Sequence, residues 1–295
     1  MKNFFKKHTF LFVIAVVIVA LLSNLITGFV QNIFSQNLIT IYLAEAVCKC
    51  LISILPLTLM VKWGYVKKSN KKRISFGFAL GTILILFCIP NLLPLTLVNP
   101  ILFKVQWGVL FAIVLASFSI GLMEESAMRG VLLPLLCEKW QDKKHAYLKA
   151  AIASSLLFAC VHLNWSVRYF LQTGSLSWEY FSNNLYQVYY TFCFGLFAAG
   201  LTIYTRSILP MIFWHGICDL SAFAVYGVIP YISLQYFFQT NTFTLQNVFN
   251  TYGILEGCSF GAELVLGMIN LSFLIIGIIF IKKGEASLPK KNNES

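Results

Sequence analysis

The chain has 295 residues, 58% of them hydrophobic and 11% charged, with a net charge of +11 and a mean hydropathy of +0.77. An ordinary soluble domain carries about 25% charged residues, so this composition excludes a soluble enzyme and points to an all-α polytopic membrane protein. The positive charge clusters at the ends of apolar runs, which suits a membrane boundary and gives no reason to expect a nucleic-acid partner.

A membrane-spanning helix needs about 20 apolar residues, and about eight runs qualify. Lys2, Lys6 and Lys7 precede the first, near 9–30. That run is too long for a signal-peptide core and lacks a small-x-small site, so a retained first helix is expected. The second run, 38–61, carries Glu45 and Lys49 four residues apart, a pair expected to neutralise itself inside a helix bundle. The third covers 74–98. The fourth, 105–138, is too long for one straight span and is expected to kink or bend onto the surface near Pro134. It contains Glu124, Glu125 and Arg129. The fifth, 148–165, carries Phe158 and His162; the sixth covers 183–205; the seventh, 207–232, carries His215 and Asp219. The eighth, 258–281, contains Glu263 and is followed by a basic tail. Aromatic segments around 166–182 and 233–257 suit the membrane interface. The eight cysteines are scattered and read as reduced, buried thiols; the Cys48-x-Cys50 spacing suits no zinc site.

With the N-terminus placed in the cytoplasm, all 22 Lys and Arg residues fall at cytoplasmic ends except Lys49, Lys104, Arg129 and Arg168. Eight spans with both termini cytoplasmic satisfy the positive-inside rule; seven or nine would scatter the charges. The expected organisation is three N-terminal spans over 1–104, a core over 105–222, and a remainder over 223–295. A multi-pass protein of a bacterial plasma membrane is the expected setting.

Ionisable groups at membrane depth are costly and are usually kept for chemistry or transport. Measured along each helix, Glu124, His162 and His215 sit about 22, 20 and 13 Å from their nearest basic boundary residues. Three separate helices thus bring polar groups to comparable depth. Glu125 and Arg129 share a helix face, as do His215 and Asp219, and as do Phe158 and His162, where the ring would wall one side of the imidazole. Each pair alone also suits a structural ion pair or hydrogen bond. Together they suit hydrolysis. A glutamate in apolar surroundings takes a proton from water and returns it to a leaving amine. One histidine orients the water, a second stabilises an oxyanion, and Asp219 holds His215 in its tautomer. Glu124, His162 and His215 would equally serve as ligands of a divalent metal such as zinc.

These motifs, Glu124-Glu125-x-x-x-Arg129, Phe158-x-x-x-His162 and His215-x-x-x-Asp219, resemble those of the CPBP family of intramembrane proteases. That family includes the CAAX prenyl endopeptidases, the lysostaphin-resistance-protein-A-like proteins, and the Abi proteins of bacteriocin processing and self-immunity. The resemblance covers about residues 105–222. It implies that Glu124 activates water with His162, that Glu125 and Arg129 support the site, and that His215 and residue 219 stabilise the oxyanion. Both metal-dependent and metal-free mechanisms have been described for the family. The CAAX-cleaving branch carries Asn where this chain has Asp219, so Asp219 is expected either to stay protonated or to orient His215. The expected substrate is a membrane-embedded, lipidated or exported peptide or protein. Two other readings fit the same residues: a non-catalytic immunity or resistance protein that binds a partner, and a proton-coupled transporter with a buried relay.

Overall fold

In the computed structural model, residues 2–8, 11–15, 38–65, 71–80, 107–163, 173–175, 178–222 and 259–287 are described, together with scattered positions between 18 and 33 and at 82 and 170. Among these residues every regular element is a helix: α1 (Lys2–Lys7), α2 (Leu38–Lys62), α3 (Trp107–Glu125), α4 (Leu133–Lys139), α5 (Ala146–Val161), α6 (Trp178–Thr205), α7 (Leu209–Ala222) and α8 (Ser259–Ala286), with a further helical stretch at 71–80. The second and fourth expected spans coincide with α2 and with α3 plus α4; α5, α6, α7 and α8 fall on the fifth to eighth. The third expected span beyond residue 80 and the outer segment 233–257 lie largely or wholly outside the described residues. Ile39–Lys62, Trp107–Lys139 and Gln187–Thr205 are long and apolar enough to cross a membrane.

The distribution of polarity is that of a protein in lipid. Val47, Leu51, Ile54, Phe111, Ile275 and Ile279 face outward. Glu125, Arg129, Lys49 and Glu45 are all buried. Lipid makes no demand for a polar exterior, whereas a charge must find partners inside the bundle.

The fourth run does not break at Pro134. Helix continues from Trp107 to Lys139, and Ser126–Leu132 forms a π-helical turn joining α3 to α4. Proline lacks an N–H and its ring crowds the carbonyl four residues earlier. The wide turn just before Pro134 relieves that crowding, and the Leu133 N–H reaches back five residues to the carbonyl of Met128. The expected irregularity is therefore present as an inserted turn one step upstream, not as an end to the helix.

Glycines set the closest approaches. A Cβ on Gly108 would lie 3.0 Å from Ile39, and one on Gly130 would lie 2.8 Å from the Met60 sulfur. The beginnings and the ends of α2 and the α3–α4 helix thus meet in register, so the two run parallel. A Cβ on Gly277 would lie 2.8 Å from the Leu196 carbonyl, and one on Gly284 would lie 2.7 Å from Ile203. Phe273 packs on Phe194 and Phe280 on Tyr204, with centroids 5.9 and 5.2 Å apart; α6 and α8 are parallel too. By contrast α7 runs antiparallel to α3: Gly121 meets Ile212 and Gly216, while Gly130 meets Ile208. The C-terminal ends of α6 and α8 are tied together beside 71–80. Arg73 donates to the Tyr204 carbonyl at 3.1 Å and to Ser287 Oγ at 3.0 Å, and Arg206 donates to the Ser287 carbonyl at 3.2 Å.

A side chain at Gly277 would press on backbone atoms that cannot rotate away. Gly277→Leu is expected to cost about 1–3 kcal/mol, read as a lowered thermal unfolding midpoint in detergent. Leu271→Ala, on an exposed position of the same helix, is expected to leave that midpoint nearly unchanged.

Candidate active site

The site begins with the crossing of α3 and α7. A Cβ on Gly121 would come within 2.9 Å of the Ile212 carbonyl oxygen and 3.0 Å of the Gly216 amide nitrogen; one on Gly216 would come within 2.9 Å of the Phe118 ring. Two glycines facing one another allow the backbones to approach closely. The histidine preceding Gly216 is thereby brought against the acid pair that follows Gly121.

Glu125 is fully buried, and its Oε1 receives two donors. Arg129 Nη1 lies 3.0 Å away and His215 Nδ1 lies 2.8 Å away. Arg129, 1% exposed, also donates through Nη2 to the Gly195 carbonyl of α6 at 3.3 Å. Its guanidinium carbon stands 4.4 Å over the Phe158 ring. Phe158 extends that stack to the histidines: its centroid is 4.9 Å from His162 and 5.9 Å from His215, edge-on in both cases. Phe194 closes the other side of His215 at 5.3 Å.

The far nitrogen of His215 faces the remaining carboxylates. Nε2 lies 3.5 Å from Glu124 Oε2 and 3.8 Å from Asp219 Oδ2. These two oxygens, and Oε2 of Glu125, are buried without a hydrogen-bond partner among the described residues. A buried acceptor left unpaired costs about 1–3 kcal/mol. His162 stands at the C-terminal end of α5 and donates from Nδ1 to the Phe158 carbonyl at 2.9 Å. Its Nε2 then carries the lone pair. Glu124 and His162 line one cavity of about 110 Å³ whose other walls are apolar.

All six candidate residues therefore belong to one region. Glu125–Arg129 and Phe158–His162 pair as their spacing predicts. His215 and Asp219 also face one another as their spacing predicts, with Oδ2 3.8 Å from Nε2, while Nδ1 is held by Glu125. Glu124 and His162 share a cavity wall, with no direct hydrogen bond between them among the described contacts. Sequence reasoning missed the Gly195 carbonyl, Phe194 and the Gly121–Gly216 crossing, which carry no charge and no motif. Glu45 and Lys49 are both buried, as expected of a pair inside the bundle. Lys49 Nζ donates to Ser23 Oγ at 2.8 Å, and Ser23 contacts the Met123 sulfur at 3.6 Å.

Both histidines anchor Nδ1 and present Nε2, as metal-bound histidines do. Among the described residues, however, no three His, Cys, Asp or Glu side chains are gathered closely enough to hold an ion. Among those residues, Glu124, His162 and His215 do not gather closely enough to share one ion.

Residues 106–221 match the family model described as type II CAAX prenyl endopeptidase Rce1-like, which bears out the resemblance carried by the motifs. The matched segment contains Glu124, Glu125, Arg129, Phe158, His162, His215 and Asp219. No curated protein and no solved structure matches the chain.

Removing one partner of a buried ion pair leaves the other uncompensated, at about 3–5 kcal/mol. Arg129→Leu is expected to lower stability by that amount, measured by thermal or denaturant unfolding in detergent. The double variant Arg129→Leu with Glu125→Leu is expected to recover part of the loss, because the buried Nδ1–H of His215 then lacks its acceptor.

Proposed function

We propose, on the Rce1-like match over residues 106–221, that this chain is an intramembrane endopeptidase. It hydrolyses a peptide bond of a membrane-associated, lipidated or exported peptide or protein. One observation carries the reading. Glu124, with an unpaired carboxylate oxygen, shares an apolar cavity with His162, while Glu125 fixes His215 so that its Nε2 faces the same carboxylate.

Water between Glu124 and Nε2 of His162 attacks the scissile carbonyl carbon. Its proton passes to Glu124 and the carbonyl electron pair moves onto oxygen. The imidazolium form of His215 donates from Nε2 to that oxyanion. Glu125 accepts the Nδ1–H, and its pairing with Arg129 keeps the carboxylate in place. Asp219, beside Nε2, adds a second donor in the form that carries a proton. Its position supports this role over the orienting role, which Glu125 occupies. The oxyanion then collapses, the C–N bond breaks, and Glu124 returns its proton to the leaving amine.

The membrane arrangement belongs to the same proposal: eight spans, both termini cytoplasmic, in a bacterial plasma membrane. Support comes from the parallel packing of α2 with α3–α4 and of α6 with α8, which the alternation of spans requires. The C-terminal ends of those helices carry Lys62, Lys139, Lys282 and Lys283.

The test is purified protein in vesicles with single-span peptides, in water enriched in a heavy oxygen isotope. Wild type is expected to yield new carboxyl termini bearing the label, and Glu124→Gln to yield them at least about 100-fold more slowly. Equal labelling would overturn the role of Glu124; label-free binding without cleavage would favour a partner-binding protein. Asp219→Asn supplies a permanent donor and is expected to retain activity, whereas Asp219→Leu is expected to lose about 100-fold or more.

A further inference from the structure

We infer that Arg73 and Arg206, at the basic end of the bundle and away from the reaction centre, hold the phosphate of an anionic glycerophospholipid.

Three segments converge there. Arg73 lies in the first turn of the helical stretch 71–80, Arg206 follows the last residue of α6, and Ser287 follows the last residue of α8. Arg73 Nη1 donates to the Tyr204 carbonyl at 3.1 Å and to Ser287 Oγ at 3.0 Å, and Arg206 Nη2 donates to the Ser287 carbonyl at 3.2 Å. The Arg73 guanidinium carbon stands 4.9 Å over the Tyr204 ring, which Phe76 and Phe280 brace with centroids 6.1 and 5.2 Å away. Two guanidiniums from different segments thus reach a single residue.

Capping the ends of α6 and α8 accounts for part of this arrangement. A helix C-terminus carries about half a negative charge, so the two ends offset about one of the two arginine charges. Among the described residues neither guanidinium has a carboxylate within ion-pair distance, and Glu285 is outnumbered on its own helix by Lys282 and Lys283. The bonds above use one nitrogen of each arginine. A guanidinium carries five N–H donors in a planar fork that matches phosphate oxygens. Arg206 supplies an independent observation. Its φ of 56° is left-handed, a conformation that crowds any side chain and that glycine usually takes at a helix C-terminus. A guanidinium in use explains an arginine at that place.

Location selects the source of the phosphate. The C-terminal ends of α2, α4 and α8 carry Lys62, Lys139, Lys282 and Lys283, which marks this end of the bundle as the level where apolar helices meet the headgroup layer. Basic pockets between helices at that level take anionic headgroups. A phosphate bridging Arg73 and Arg206 would tie 71–80, α6 and α8 together.

The full chain, stripped of lipid in detergent, would be titrated with phosphatidylglycerol, phosphatidylcholine or inorganic phosphate, with binding read from the thermal unfolding midpoint and from lipid retained in native mass spectrometry. Phosphatidylglycerol is expected to bind at least about tenfold more tightly than phosphatidylcholine and to raise the midpoint, whereas inorganic phosphate at equal concentration leaves it unchanged. Arg73→Gln and Arg206→Gln are each expected to weaken that binding at least about tenfold, as loss of a charge-assisted hydrogen bond predicts. Lys143→Gln, in the exposed turn before α5, is expected to change it less than about twofold. Equal binding of the two lipids would overturn the site, inorganic phosphate binding as tightly as phosphatidylglycerol would overturn the lipid as its ligand, and an equal loss in Lys143→Gln would reduce the effect to diffuse surface charge and overturn it too. The ligand comparison uses the wild type alone and decides the matter if an arginine variant fails to fold.

Discussion

One carboxylate oxygen, Oε1 of Glu125, holds the polar interior together. It accepts Arg129 from its own helix at 3.0 Å and His215 from α7 at 2.8 Å. None of the three groups is tolerable alone in apolar surroundings. Their mutual satisfaction fixes α7 against α3, and the Arg129 contact with the Gly195 carbonyl extends the link to α6. Phe158, lying under the guanidinium and edge-on to both imidazoles, carries it to α5. A single buried anion thus joins α3, α5, α6 and α7, the helices that carry the polar residues of the site and their closest partners.

The π-helical turn at Ser126–Leu132 complements this arrangement. Arg129 lies inside it, and Glu124 lies just before it. Ala127, Met128 and Val131 of the same turn line the cavity. An inserted turn changes which residues face inward after the acid pair, so that the ion pair and the cavity wall come from one stretch of seven residues. Such turns recur at functional sites. Here the local reason is the crowding that Pro134 imposes on the helix before it.

Much of this was legible in the sequence. Apolar runs gave α2 and the α3–α4 helix nearly to the residue, because length and hydropathy dominate span formation. The i, i+4 spacing placed Glu125 on Arg129 and Phe158 on His162, because helix geometry alone decides such pairs. Contacts between helices were less accessible. His215 and Asp219 share a face, yet the imidazole turns its Nδ1 to Glu125, since that choice depends on how closely two backbones approach. The glycines that permit the approach look in the sequence like any other small residues in a membrane helix. For the same reason the sequence reading kept Lys49 as a local partner of Glu45 and gave no sign of its hydrogen bond to Ser23. The contribution of Ala15 and Val19 to the cavity was likewise invisible, because no periodicity links the N-terminal segment to Glu124.

The central claim is that this polar interior cuts peptide bonds through Glu124. A survey of new peptide termini in the membrane proteome would test it most directly, comparing cells that express wild type with cells that express Glu124→Ala at matched abundance. The account predicts a set of termini present with the wild type and absent with the variant, which would also name the substrates. Identical sets, with both proteins folded in the membrane, would contradict it and leave the bridge between Arg129, Glu125 and His215 as architecture alone.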